Sequence, residues 1–175
     1  KLYSLSESEK SELGVTVMKE LKDGAINLGL DLQGGMYVLL ETDIPTLVEK
    51  IANKKTEELR NAIQEADQRS INNQTDFFVE FLTVANSRDL RLFRNYNNLA
   101  TTRDNESVVQ ELKIQRDNAI ASALEIIRNR IDEFGVSEPT IQKYGANRII
   151  VELAGVQDSD RARNLIQRTA SLEFT

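Results

Sequence analysis

The residues with chemical potential are few: the carboxylates Asp31 and Glu41, and the glycine pair Gly34-Gly35 between them. Two acids can act as general acid and base in a hydrolysis if they share a cleft and one pKa is raised. Nothing in their spacing demands a shared cleft. The string Leu28-Gly29-Leu30-Asp31-Leu32-Gln33-Gly34-Gly35 also has the look of a glycine-rich phosphate cradle. Such cradles place their glycines after a strand and before a helix, whose first amides face the anion. Here the pair precedes a strand-like run, Met36-Tyr37-Val38-Leu39-Leu40. A bend or bulge is the better reading, with Asp31 and Gln33 satisfying the exposed amides.

The 175 residues include neither Cys nor His. That excludes zinc sites built from those ligands, thiol nucleophiles, Ser-His-Asp triads and imidazole acid-base chemistry. With 22 basic against 28 acidic residues the net charge is -6, so nucleic acid is not an expected partner. No stretch approaches the roughly 20 apolar residues that cross a bilayer. The chain starts at Lys1 without a signal-peptide pattern and stops on the strand-like Ser171-Leu172-Glu173-Phe174-Thr175, which reads as a segment of a longer protein.

Residues 1–25, with Ser4, Ser6, Glu7, Ser8 and Glu9 crowded together, read as a polar tether with at most a short helix. Alternating Ile26, Leu28, Leu30 and Leu32 predict a half-buried strand, and the unbroken run 36–40 predicts a central strand covered on both faces. Asp43 and Pro45 open a helix that Leu47, Val48, Ile51, Leu59, Ala62, Ile63 and Ala66 carry to about Arg69, ahead of a polar break at Ser70 to Gln74. Phe77, Phe78, Phe81, Leu82 and Ala85 line a second helix, and Leu90, Phe93 and Tyr96 a short third. These rings read as packing the helices together rather than as a client or cofactor surface.

The spacing Ser107 to Gln110 is that of a capping box, and a long helix from about Asn105 to Phe134 ends at Gly135. Beyond the Glu138-Pro139 corner, Thr140–Tyr144 and Arg148–Leu153 form a hairpin about Gly145-Ala146-Asn147, with Ile149, Val151 and Leu153 on one face. Gly155 closes it, Asp158 or Ser159 caps a last helix bearing Ala162, Leu165, Ile166 and Thr169, and Leu172 and Phe174 begin a final strand. This order is α+β, a ferredoxin-like split β-α-β-β-α-β sheet. The strand with Gln142 and Lys143 belongs at an edge. Residues 26–43 and 105–175 make the base, truncated at its C-terminus, and 44–104 a helical insertion between first strand and main helix.

Beyond these patterns, the string LGLDLQGG, followed by an apolar strand that ends in Glu41-Thr42-Asp43, resembles the signature of the SecD/SecDF family of Sec-translocon accessory proteins. Residues 128–139 resemble the family's LRNRINxxGVxEP stretch, and 145–155 its GxxRIVVELPG, with Ala154 where the family usually has Pro. Ala170-Ser171-Leu172-Glu173-Phe174 resembles ATLEF. The insertion aligns with none of these family stretches. The resemblance implies the N-terminal part of the first extracytoplasmic (periplasmic) domain of an inner (plasma) membrane protein. Such a protein would act with SecF and the SecYEG translocon on a translocating unfolded preprotein, driven by the proton gradient.

No catalytic residue, metal ligand or cofactor is implied, because the family's proton-carrying groups lie in membrane helices. The motif positions Gly29, Asp31, Gln33, Gly34, Gly35, Arg128, Arg130, Gly135, Glu138, Pro139, Gly145, Arg148, Glu152 and Gly155 are expected to be structural. Arg128 and Arg130 lie on different helical faces, so at least one is expected near Asp132, Glu133 or Glu138. A ferredoxin-like ligand- or protein-binding module outside transport remains the alternative, since fold alone does not separate these uses.

Overall fold

The computed structural model describes residues 15–21, 35–99, 102–134, 139–154, 156, 161–162, 164 and 171–173. The chain divides into two compact units, one of residues 1–43 with 119–175 and one of 44–118. In chain order the elements are β1 (Val15–Leu21), β2 (Gly35–Thr42), α1 (Ile44–Ile51), α2 (Glu57–Asn73), α3 (Phe77–Ser87) and a 3-10 turn (Leu92–Arg94). They continue with α4 (Asn105–Phe134), β3 (Thr140–Tyr144), β4 (Arg148–Ala154) and β5 (Ser171–Glu173).

The first unit is α+β, an open antiparallel sheet in the order β3-β4-β2-β1-β5. Strand periodicity sends Met36, Val38 and Leu40 of β2 to one face, where they meet Ile141, Ile149, Val151 and Leu153. Ile120, Ala123, Ile127 and Ile131, three and four apart on α4, join the same buried cluster.

Two expectations change here. The run 36–40 is not covered on both faces: Tyr37, on the face away from that cluster, is 39% exposed. The sheet is antiparallel, and such sheets need cover on one face only. Residues 15–21, expected within the tether, form β1, whose pairing with β2 from Met18↔Thr42 to Leu21↔Leu39 satisfies backbone groups that an edge would leave open. The last strand, β5, pairs with β1 at the far edge of the sheet. The expected strand at Ile26 to Leu32, and Leu165, Ile166, Thr169 and Phe174, lie outside the described residues.

The second unit is helical, built around Leu59, Phe78, Phe81, Leu92, Tyr96 and Leu112, all buried. The helix expected from 44 to 69 is two helices. Thr56 caps α2 by accepting the Leu59 N–H at 3.2 Å, and the N–H groups of Asn53 and Lys54 turn aside to the Asn95 carbonyl at 2.8 and 3.3 Å. The polar break expected at Ser70 is instead helix, which continues to Asn73 and ends on Gln74 at φ 54°. Phe77 stacks on Phe81 at 5.6 Å and meets Phe78 edge-on at 5.5 Å, so the aromatic stripe fills this core.

α4 begins where expected but with another cap. Asp104 accepts the Ser107 N–H at 2.7 Å and the Ser107 hydroxyl at 3.0 Å, in place of a Ser107–Gln110 box. An ionised carboxylate at the positive end of the helix is the stronger acceptor. The short third helix is the 3-10 turn alone, tied to α4 by Asn105, which accepts the Leu92 N–H and donates to the Leu90 carbonyl, both at 2.9 Å.

Candidate functional site

Of the motif residues that the structure describes, Gly35, Gly145, Arg148 and Glu152 lie in one sheet or its turn, and Arg128 and Arg130 on α4. Gly35 begins β2 opposite Ala154, and six register pairs further Glu41 stands opposite Arg148. There Arg148 Nε donates to Glu41 Oε1 at 3.2 Å. The neighbouring Thr42 N–H donates to the Asn147 carbonyl at 2.8 Å, fastening the β3–β4 turn to the end of β2. Gly145 in that turn has φ +63°, a backbone that suits glycine. Glu152, half-buried, is the register partner of Tyr37 on one side and Thr140 on the other. Pro139 directly precedes β3 and is half-buried.

Arg128 is exposed and Arg130 half-buried on α4. Neither makes an ion pair with Asp132, Glu133 or any other described residue. Both acids are exposed, so water solvates them and a fixed pair adds little. Glu138 lies outside the described residues, as do Gly29, Asp31, Gln33, Gly34, Gly135 and Gly155.

The geometry offers a docking edge more readily than a reaction centre. β3 is the terminal strand of the sheet, with the burial pattern of a solvated strand and Tyr144 54% exposed. Its outer row of N–H and C=O groups has no strand neighbour among the described residues, and an extended polypeptide could take that place through backbone bonds alone. Among the described residues no group of three or more carboxylates is placed to hold a metal ion, and no helix is long and apolar enough to cross a membrane.

Clefts of about 350 and 550 Å³ are lined by residues of the 54–106 region and by none of the motif residues. The shifted titratable groups also lie away from the motifs. Hydrogen bonds from the Thr102 side chain, then from the backbone and hydroxyl of Ser107, hold Asp104 down to about 2. Thr75 and then Asn73 lower Glu80, which joins α2 to α3. Burial, then the Glu49 charge, raises Tyr96, whose hydroxyl donates to the Val48 carbonyl at 2.9 Å. These groups fix helices. Sequence reasoning passed over Arg88, Arg91 and Arg94, whose regular spacing by three was the available signal.

Comparison with known proteins adds what geometry does not. Residues 120–175 match the family described as "Protein translocase subunit SecDF, P1 domain, N-terminal", and residues 25–43 match the "SecD/SecF GG Motif". Among curated relatives, the "Protein translocase subunit SecD" of Rhodothermus marinus is 39% identical over 183 residues, covering 99% of this chain and 29% of the relative. That of Desulfurispirillum indicum is 39% identical over 160 residues (85% and 31%), and that of Escherichia coli K12 30% identical over 161 residues (85% and 26%). The chain thus spans less than a third of the length of these three relatives. No solved structure matches it.

Proposed function

We propose, from the premise that this chain belongs to the SecD family, that it is an extracytoplasmic part of a membrane-embedded protein-export subunit and handles the emerging preprotein without catalysing a reaction. The parent would work with SecF and SecYEG, draw on the proton-motive force, and sit in the inner membrane with this domain on the periplasmic side. In this reading residues 26–43 and 105–175 form a ferredoxin-like base and 44–104 an inserted helical element. Glycines, Pro139 and the Glu41–Arg148 pair keep strand geometry, with no role in chemistry.

The observation that carries the reading is the meeting of both family segments in adjacent strands, Glu41 of one against Arg148 of the other. The sheet so formed ends at β3, the edge we assign to the unfolded client. Backbone pairing suits a component that must accept many different sequences, because it reads no side chains.

A photo-crosslinking residue at Gln142, exposed on β3, tests this in cells carrying the full-length membrane protein. Crosslinks to a preprotein arrested in translocation are expected, and they should disappear once export is complete. Crosslinks independent of export, together with a small-molecule ligand that raises the melting temperature, would favour a binding module outside transport.

A further inference from the structure

The helical unit holds a cleft of about 550 Å³ lined by Lys54, Arg91 and Arg94. None of these three side chains has a carboxylate partner among the described residues, whereas Arg60, Arg69, Arg88, Arg116 and Arg148 are each paired with one. Arg128 and Arg130 also lack an ion pair, but Lys54, Arg91 and Arg94 are gathered around one concavity in a chain of net charge -6.

The lining is held in place rather than left to long, free side chains. Asn95, 3% exposed, donates from Nδ2 to the Lys54 carbonyl at 2.7 Å and to Thr56 Oγ1 at 3.3 Å. Its own carbonyl accepts the N–H groups of Asn53 and Lys54, so the 53–56 loop and the 3-10 turn are stapled at one residue. On the turn, Leu92 is fully buried between Arg91 and Arg94, with its N–H held by Asn105. Backbone positions fixed in this way reduce the ordering cost when a ligand arrives.

We propose that this cleft binds an acidic segment of a partner polypeptide, seating a Glu or Asp carboxylate among Lys54, Arg91 and Arg94. Guanidinium groups suit carboxylates because their N–H donors match the two oxygens. Glu58 and Asp89 line the cleft as well. This mixed lining favours a peptide whose acid is flanked by neutral or basic residues over a uniformly anionic bilayer. The cleft lies in 44–118, which neither matched family segment reaches.

Fluorescence anisotropy with a short labelled peptide carrying adjacent glutamates, and with its glutamine counterpart, tests the assignment on the purified chain. Saturable binding of the glutamate peptide is expected, at least about tenfold weaker for the glutamine peptide and for the Arg91→Gln/Arg94→Gln variant, and weakened by salt. Both arginines are exposed, so the variant should keep its fold and melting temperature. Arg60→Gln removes an exposed charge on α2 that does not line the cleft, and should bind like the parent. Absence of peptide binding, an unaffected double variant, or an equal loss in Arg60→Gln would overturn the proposal. So would cleft-dependent binding to phosphatidylglycerol vesicles without peptide binding, which would assign the cleft to a lipid surface.

Discussion

Arg148 Nε lies 3.2 Å from Glu41 Oε1 across the paired strands β4 and β2, although the two residues are 107 positions apart in the chain. Side-chain exposures of 44% and 31% leave the pair in contact with water. Its stabilising contribution is therefore modest, and its use is to mark the register in which the two family segments meet.

A double-mutant cycle of Arg148→Ala and Glu41→Ala, followed by urea denaturation, should give a coupling of about 0.2–1 kcal/mol that shrinks with added salt. A coupling several times larger would mean that the pair is desolvated in solution.

Gly145 carries the turn between β3 and β4 at φ +63°, and a Cβ added there would meet nothing within 4 Å. Gly145→Ala should cost about 1–2 kcal/mol through backbone strain alone, and Gly145→Asn distinctly less. Equal melting temperatures for the two variants would contradict this.

Asn95→Ala should lower the stability of the helical unit by about 1–3 kcal/mol, because it removes the donor to the Lys54 carbonyl from a buried position. Hydrogen exchange at the amides of Asn53 and Lys54 should quicken in the variant, since the Asn95 carbonyl that they reach would be held less firmly.

Asp104 and Glu80, both lowered, act on the acid side of the helical unit's stability, and Tyr96 on the alkaline side. Asp104 has its pKa lowered from 3.8 to about 2, so the folded state favours its charged form. Its contribution is present above the unfolded value and is lost as pH falls through 3.8 towards 2. Tyr96 is raised above 10.0, so its contribution is full below that value and is lost as pH rises beyond it. Asp104→Asn should reduce the acid limb of a stability profile, with Glu80 supplying the remainder, and Tyr96→Phe should flatten the alkaline limb, each leaving the other limb unchanged.

Much of this architecture was legible where one period dominates a segment. The alternation through Ile149, Val151 and Leu153, the turn at Gly145 and the long apolar stripe of α4 needed no tertiary information. β1 was not legible, because Val15, Val17 and Leu21 share a parity with Lys19 and lie beside a charged run, and only the pairing with β2 makes them a strand. The break between α1 and α2 was hidden because Ile51 and Leu59 are eight residues apart, a spacing that continues the helical stripe across the loop. At α4 two cap-forming residues, Asp104 and Ser107, competed, and the choice depended on charge and reach. For the candidate site, the motif glycines and the polar edge strand were visible as patterns. The cleft was not, because its lining residues come together only through Asn95, whose partners lie about forty positions away.

The most direct test of the export reading is binding of the purified chain to an export-competent polypeptide, unfolded and folded, with Gln142→Pro and Lys143→Pro compared. Neighbouring residues of an antiparallel edge send their N–H groups in opposite directions, so one proline interrupts pairing with β4 and the other blocks only the open side. Saturable binding to the unfolded form alone is expected, abolished by the proline that leaves the stability of the chain unchanged. Binding to neither form, or to both equally, would contradict the assignment of the client to the β3 edge.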